Sequence, residues 1–227
     1  MTQPQGTAAA VRARLWDGPT RIVHWGLVAL LGFSWWSAEN GQLTWHRWSG
    51  YAVLGLLLFR IVWGFVGSGS ARFASFVRGP RAIAAYLRTL PSRSPTDVPG
   101  HNPLGALSVL AILALLAVQV VTGLFAVDLD GFEGGPLSDR VDFDTGRVIA
   151  GWHDLSFTAL QVLVALHIAA VVLYAVYKRN NLIWPMITGR RAFGADPGLR
   201  FAPVWIALLA AAAAAAVAWW VSKGLRF

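Results

Sequence analysis

Five histidines, His24, His46, His101, His153 and His167, are the residues of this chain best equipped for chemistry. There is no cysteine, which excludes a disulfide framework, a thiolate-held iron–sulfur cluster and a covalently attached c-type haem. Metal chemistry would have to rest on imidazole, thioether or carboxylate. Each histidine lies in or at the end of an apolar run, where an imidazole is costly unless it faces a protein interior and finds a partner. His153 and His167 are 14 residues apart in one such run. At helical rise and twist this is about 21 Å along the axis and about 40° around it. One helix therefore offers two ligands on one face, one near each membrane surface.

The other runs must supply partners at matching depths. His24 stands near the start of the first run and His46 at the start of the second, which returns in the opposite direction, so these two lie at opposite depths. Matching by level pairs His46 with His153 and His24 with His167. The second pair carries a mismatch of about 12 Å if Arg21 and Lys178 mark the membrane edges, most of which vanishes if Arg21 snorkels. Zinc takes three or four protein ligands, and the runs hold no carboxylate to complete such a set. Haem iron takes two axial ligands, and imidazole on both faces gives a low-spin b haem suited to electron transfer. Two b haems, one above the other, would form an electron path across a bilayer. Gly26, Gly32, Gly50, Gly55, Gly105 and Gly123 are small enough to let a porphyrin approach helix backbones.

The elements that position these residues follow from composition. In 227 residues, 56% are hydrophobic and only 13% charged, with a mean hydropathy of +0.54, which excludes a soluble globule, disorder and a coiled coil. The expected architecture is all-α and integral to the membrane, with spans near Ile22–Ala38, Trp48–Gly67, Pro103–Val127, Leu155–Tyr177 and Pro203–Val221. Residues 1–191 would form a four-helix haem-binding bundle and residues 192–227 a linker and a fifth C-terminal transmembrane helix. The first ten residues are polar and small and show no cleavable signal. Lys and Arg outside the spans divide thirteen to five between the two sides. By the positive-inside rule this places the N-terminus in the cytoplasm and the C-terminus outside, in the periplasm of a bacterial inner membrane. The net charge of +8 thus reports cytoplasmic loops rather than nucleic-acid binding. The 128–154 loop faces outside and carries seven acids against two arginines. In the 68–102 loop, Phe73, Phe76, Val77, Ile83, Tyr86 and Leu87 alternate with arginines, as in an interfacial amphipathic helix or a plain basic loop.

Two further residues carry a choice. Arg60 follows His46 by the same 14-residue interval and so sits at the inner level. A salt bridge to a haem propionate is favoured over a snorkelling arginine because Ile61, Val62, Trp63 and Gly64 follow it. His101-Asn102-Pro103 reads first as a helix start, with Asn102 as N-cap and Pro103 at the first helical position; a role toward a propionate or a quinone is the alternative.

The residues also resemble a known family, the bacterial cytochrome b561 and Ni,Fe-hydrogenase cytochrome b subunit group of dihaem four-helix proteins. The matching pieces are Arg21-Ile22-Val23-His24-Trp25, Trp45-His46-Arg47 with Gly50-Tyr51, Phe59-Arg60 to Trp63-Gly64, Gly100 to Gly105, Trp152-His153, Leu166-His167, and Asn181-Leu182 to Met186-Ile187-Thr188-Gly189. Together they run from about Leu15 to Arg191. The resemblance implies haem ligands on helices one, two and four, at His24, His46, His153 and His167. It also implies electron exchange between membrane quinone or quinol and a periplasmic redox partner: a c-type cytochrome, a hydrogenase or other oxidoreductase subunit, or a small species such as superoxide. The fifth span and the long acidic loop depart from the shared pattern. No nucleophile–base set or dinucleotide fingerprint is present, so any chemistry belongs to haem and quinone rather than to catalytic side chains. The competing functions are a passive anchor for an oxidoreductase and a haem-free transporter using its histidines as a relay. Against the transporter stand the absence of acidic residues in the spans and of broken helices.

Overall fold

The computed structural model describes residues 11–93, 98–131 and 133–226; the first ten residues, with their expected lack of a signal, lie outside them. In chain order the elements are β1 (Val11–Arg14), α1 (Gly18–Glu39), α2 (Leu43–Val66), α3 (Phe73–Phe76), α4 (Pro80–Thr89), α5 (Pro103–Phe125), a 3-10 turn at Ser138–Arg140, α6 (Phe143–Val176), α7 (Ile183–Thr188), β2 (Arg190–Phe193) and α8 (Val204–Ser222). Four helices, α2, α5, α6 and α8, are long and apolar enough to cross a membrane. With the apolar side chains exposed on their outer faces, among them Leu166, Leu208 and Leu209, they make this a multi-pass membrane protein. The first expected span, α1, has comparable length at 22 residues. Its three tryptophans, two serines, Arg21 and His24 lower its hydropathy below the other four.

Helix starts follow their capping chemistry. Asp17 accepts from Thr20 N at 2.7 Å ahead of α1, Asn102 from Gly105 N at 2.8 Å ahead of α5, and Asp142 from Thr145 N at 2.9 Å ahead of α6. The Asp142 cap starts α6 twelve residues before the expected Leu155, giving a helix of 34 residues. Part of the expected 128–154 loop is therefore helical, and His153 lies well inside α6 rather than at its edge. The 68–102 segment resolves into the short α3 and the ten-residue α4, which starts at Pro80 and leaves Arg81, Leu87 and Arg88 exposed.

α2 is the centre of the packing. It lies antiparallel to α1, against α8 along one flank, and more lightly against α5, while α5 pairs with α6. On α8, Ala207, Ala210, Ala214 and Ala218 are all buried at helical spacing. Gly55 of α2 comes within 3.7 Å of the Ala218 methyl from its ideal Cβ position, so small residues on both helices permit close approach. One core joins Val23, Phe59, Trp63, Ala207, Ala210 and Ala214; a second joins Val53, Leu57, Leu116 and Leu160. Neither α1 nor α2 packs extensively on α6. What crosses that interval is side chains.

At the Arg-rich end, β1 and β2 form an antiparallel ribbon from Val11↔Phe193 to Arg14↔Arg190. Gly189, at φ 78°, ends α7 in the left-handed region that favours glycine, and its carbonyl accepts from Leu15 N and Trp16 N at 2.8 and 3.2 Å. Beside this closure Asp17 is buried, with its second oxygen accepting from Trp63 Nε1 at 3.0 Å. Replacing Asp17 with Ala removes the α1 cap and strands a buried indole N–H, a combined cost of about 2–4 kcal/mol. Thermal unfolding in detergent is expected to show a marked fall in Tm for Asp17→Ala and a smaller one for Asp17→Asn, which keeps the cap acceptor.

Candidate functional site

At the acid-loop end, His46 from the first turn of α2 and His153 of α6 face each other with ring centroids 6.1 Å apart and planes at 89°. Their backs are tied to neighbouring helices. His46 Nδ1 lies 2.9 Å from Ser34 O and 3.1 Å from Ser34 Oγ on α1. His153 Nδ1 lies 2.9 Å from Gln119 O and 3.2 Å from Thr122 Oγ1 on α5. A carbonyl only accepts, so Nδ1 is the protonated nitrogen in both rings and Nε2 carries the acceptor lone pair. His153 Nε2 accepts from the Gln119 carboxamide nitrogen at 3.0 Å, and Ser156 Oγ donates to Gln119 Oε1.

At the Arg-rich end, His24 of α1 and His167 of α6 have centroids 6.5 Å apart and planes at 53°. His24 Nδ1 is buried with no hydrogen-bond partner among the described residues. Arg60 is buried here at 7% exposure, its guanidinium 5.1 Å above the Phe73 ring and its Nη1 also unpartnered. It does not reach out to the surface. His101 lies between Trp16 and Phe76, with centroids 4.8 and 4.5 Å away. Burial, with smaller contributions from Arg60, His167 and His24, pushes its imidazole down to about 3, so it is neutral at physiological pH. Asn102 and Pro103 behind it cap and start α5.

The structure thus brings the four histidines together in the two pairs expected from depth. At the Arg-rich end the His24 and His167 rings face each other without the offset of about 12 Å that membrane edges at Arg21 and Lys178 would give, and Arg21 donates to Ile187 O of α7. Two imidazoles on opposite sides of one metal ion, each nitrogen about 2 Å from it, have ring centres roughly 6 Å apart. Both pairs match that spacing. Among the described residues no group of three His, Asp or Glu could hold a metal ion. A Cβ on Gly50, one turn beyond His46, or on Gly32, which is exposed, would meet nothing within 4 Å. Other expected glycines serve elsewhere: Gly55 admits α8, Gly105 adjoins the Asn102 cap, and Gly26 meets Leu56.

Ser34, Gln119, Thr122 and Ser156 were not among the expected site residues. Gln119 carried a signal, as a buried amide in an otherwise apolar run; the serine and threonine roles depend on tertiary contacts. The acid loop proves partly structural. Glu133 pairs with Arg47, Asp139 with Arg226, and Asp142 caps α6, where hydrogen bonds from Thr145 hold its carboxyl below the usual carboxylate range.

A bundle with an interval between α6 and the α1–α2 pair, bridged at two levels by facing imidazoles, defines a helical membrane protein whose histidines meet in its interior. The chain matches the family described as prokaryotic cytochrome b561 over residues 15–189, and it belongs to that family. It is a membrane cytochrome b with haem b as its cofactor, and it carries electrons. Among curated proteins it is 28% identical over 66% of its length, and 68% of theirs, to probable Ni/Fe-hydrogenase B-type cytochrome subunits of Azotobacter chroococcum mcd 1 and Azotobacter vinelandii. It is 25% identical to the protein of that name from Bradyrhizobium diazoefficiens, over 79% of this chain and 85% of that one. No solved structure matches it.

A methyl group at Gly123 would stand 2.8 Å from His153 Cε1, an overpacking of about 1–3 kcal/mol. Gly123→Ala is expected to deplete or shift one component of the reduced-minus-oxidised spectrum, whereas Gly151→Ala, on an exposed face of α6 with nothing within 4 Å, leaves it unchanged.

Proposed function

We propose that this chain is a dihaem cytochrome b that passes electrons between a periplasmic redox partner and the quinone pool of a bacterial inner membrane. The observation that carries the reading is the pair of facing imidazoles at each of two levels. His46 and His153 would hold one haem and His24 and His167 the other, within a unit of residues 1–191 braced by the C-terminal α8. Bound there, the haems supply one-electron redox chemistry. The protein's part is to orient the ligands through Ser34, Gln119 and Thr122, to exclude water with its apolar packing, and to set Arg60 beside the inner pair, toward a propionate.

A cleft of about 550 Å³ opens between α3, α4 and the start of α5, lined by Phe76, Ala82, Tyr86, Pro103 and His101. Its mainly apolar wall and neutral imidazole would suit a quinone headgroup, which would then lie on the side of the inner pair. The charge count supports a cytoplasmic position for this end. The curated relatives are named as hydrogenase subunits, which favours a stably bound oxidoreductase subunit as the outside partner. A c-type cytochrome is the alternative; with Glu133, Asp139 and Asp142 engaged in ion pairs or a helix cap, the loop acids left to dock it are Asp128, Asp130, Asp144 and Asp154.

Pyridine haemochrome analysis is expected to give about two b haems per chain. His153→Ala and His167→Ala should each remove a spectrally different component. Reduction of the haems by a soluble quinol should slow several-fold in Ala82→Trp, which fills the cleft. One haem or none with ample haem supply, or the same component lost in both variants, overturns the dihaem assignment.

Orientation has its own measurement. A reporter inserted near Ser92 should register as cytoplasmic and one fused after residue 227 as periplasmic; the reverse pattern exchanges the donor and acceptor sides.

A further inference from the structure

The ribbon that closes the Arg-rich end sets arginines against each other. Its antiparallel register places Arg14 directly opposite Arg190 and Arg12 opposite Ala192, and residues paired across strands or two apart along one share a face, so the three arginines stand on one side. Leu15 N donates to Gly189 O, which makes the adjoining Arg14 and Arg190 a non-hydrogen-bonded pair, the kind whose side chains lie closest. Like charges there destabilise a ribbon, and two strands alone are marginal. Arg14 is held in place by Phe201, with its guanidinium 4.4 Å over that ring.

Among the described residues no carboxylate pairs with any of the three, all of which are exposed. The described ion pairs, Arg47 with Glu133 and Asp139 with Arg140 and Arg226, lie at the acid-loop end. The first ten residues contain no acid, Asp17 is buried, and Asp196 accepts from Gly198 N at 3.0 Å within its own turn. Neighbouring arginines are committed to backbone, Arg21 to Ile187 O and Arg191 to Val98 O. The elements on either side of the ribbon turn apolar side chains outward: Ile183, Trp184 and Ile187 on α7 just before β2, and Val204 and Trp205 at the start of α8, just after Phe201. Exposed tryptophan at the ends of apolar helices marks the headgroup level of a bilayer. The arginine face therefore lies where lipid phosphates are.

We propose that the face formed by Arg12, Arg14 and Arg190 is a binding site for an anionic phospholipid, with the phosphodiester taken between Arg14 and Arg190. The planar guanidinium fork matches phosphate oxygens, and an anion there replaces repulsion across the strands with attraction to both. An acidic protein segment would offer the same charge, but the outward tryptophans and isoleucines beside the ribbon belong in lipid, which is already present at that level. The site is separate from the histidine pairs and from the cleft beside α4, and it depends on neither the haem count nor the quinone. Lipid bound here would fasten β1 to β2, and with them the Gly189 carbonyl that holds Leu15 and Trp16 ahead of α1.

The test is thermal unfolding of the purified holoprotein in an uncharged detergent, titrated with phosphatidylglycerol, with phosphatidylcholine of the same acyl chains, and with free glycerol phosphate. Phosphatidylglycerol is expected to raise Tm in a saturable way, as a ligand of the folded state does, and the other two to leave it nearly unchanged. Arg190→Gln, which leaves Arg14 on Phe201, should weaken the half-saturation by about fivefold, yet its lipid-free Tm should equal or exceed that of the parent because the cross-strand repulsion is gone. Arg81→Gln, at an exposed arginine of α4, should alter neither quantity. No rise with phosphatidylglycerol, an equal rise with phosphatidylcholine, or the same weakening in Arg81→Gln as in Arg190→Gln overturns the site. A rise matched by glycerol phosphate overturns lipid as its ligand. A lipid-free Tm in Arg190→Gln well below the parent's overturns the repulsion from which the site is inferred.

Discussion

The 14 residues that separate His153 from His167 on one unbroken helix are the constraint on which the rest of the bundle depends. They set two levels about 21 Å apart, and α1 and α2 must each bring one imidazole to one of those levels from the opposite side. Running antiparallel, these two helices do so with His24 near the start of one and His46 near the start of the other. The facing rings then hold α6 away from α1 and α2 by the reach of two side chains, and α6 finds its backbone packing on α5 instead. A continuous α6 is essential to this arrangement, since a kink between the two histidines would rotate one ligand out of line.

That pairing was legible because histidine in an apolar run is rare and helical periodicity is simple arithmetic. His101 and Arg60 were legible as residues but not as neighbours. Only the fold shows His101 held between Trp16 and Phe76, with Arg60 turned inward beneath Phe73. The early start of α6 escaped the hydropathy reading because residues 143–154 include Asp144, Arg147 and Asp154, while the Asp142–Thr145 cap that begins the helix is a local signal independent of hydropathy. The glycines were the least legible. A glycine that would admit a porphyrin and one that admits another helix look alike in sequence, and Gly55 belongs to α8.

The C-terminal helix has a packing logic of its own. The repeated alanines of α8 give it little side-chain bulk on the α2-facing side, so it lies close along the helix that carries His46 and Arg60. The opposite face of α8 carries Trp205, Leu208, Leu209 and Trp219 outward, where lipid accepts them. α2 is thereby flanked by α1, α5 and α8, and His46 and Arg60 sit on the most enclosed of the four long apolar helices.

The β-ribbon ties the start of the chain to residues made much later. Val11–Arg14 cannot find its partner until Arg190–Phe193 has been synthesised, and Leu15 and Trp16 wait for the Gly189 carbonyl. Both imidazole pairs also need α6, the last of the three helices that carry them to emerge from the ribosome. During synthesis the first two helices therefore enter the membrane with His24 and His46 unmatched, and the pocket between Trp16 and Phe76 gains its last wall only when the ribbon zips. Loading of a cofactor between those pairs would belong to the end of biogenesis, and a chain arrested before residue 190 would present a bundle with its Arg-rich end still open.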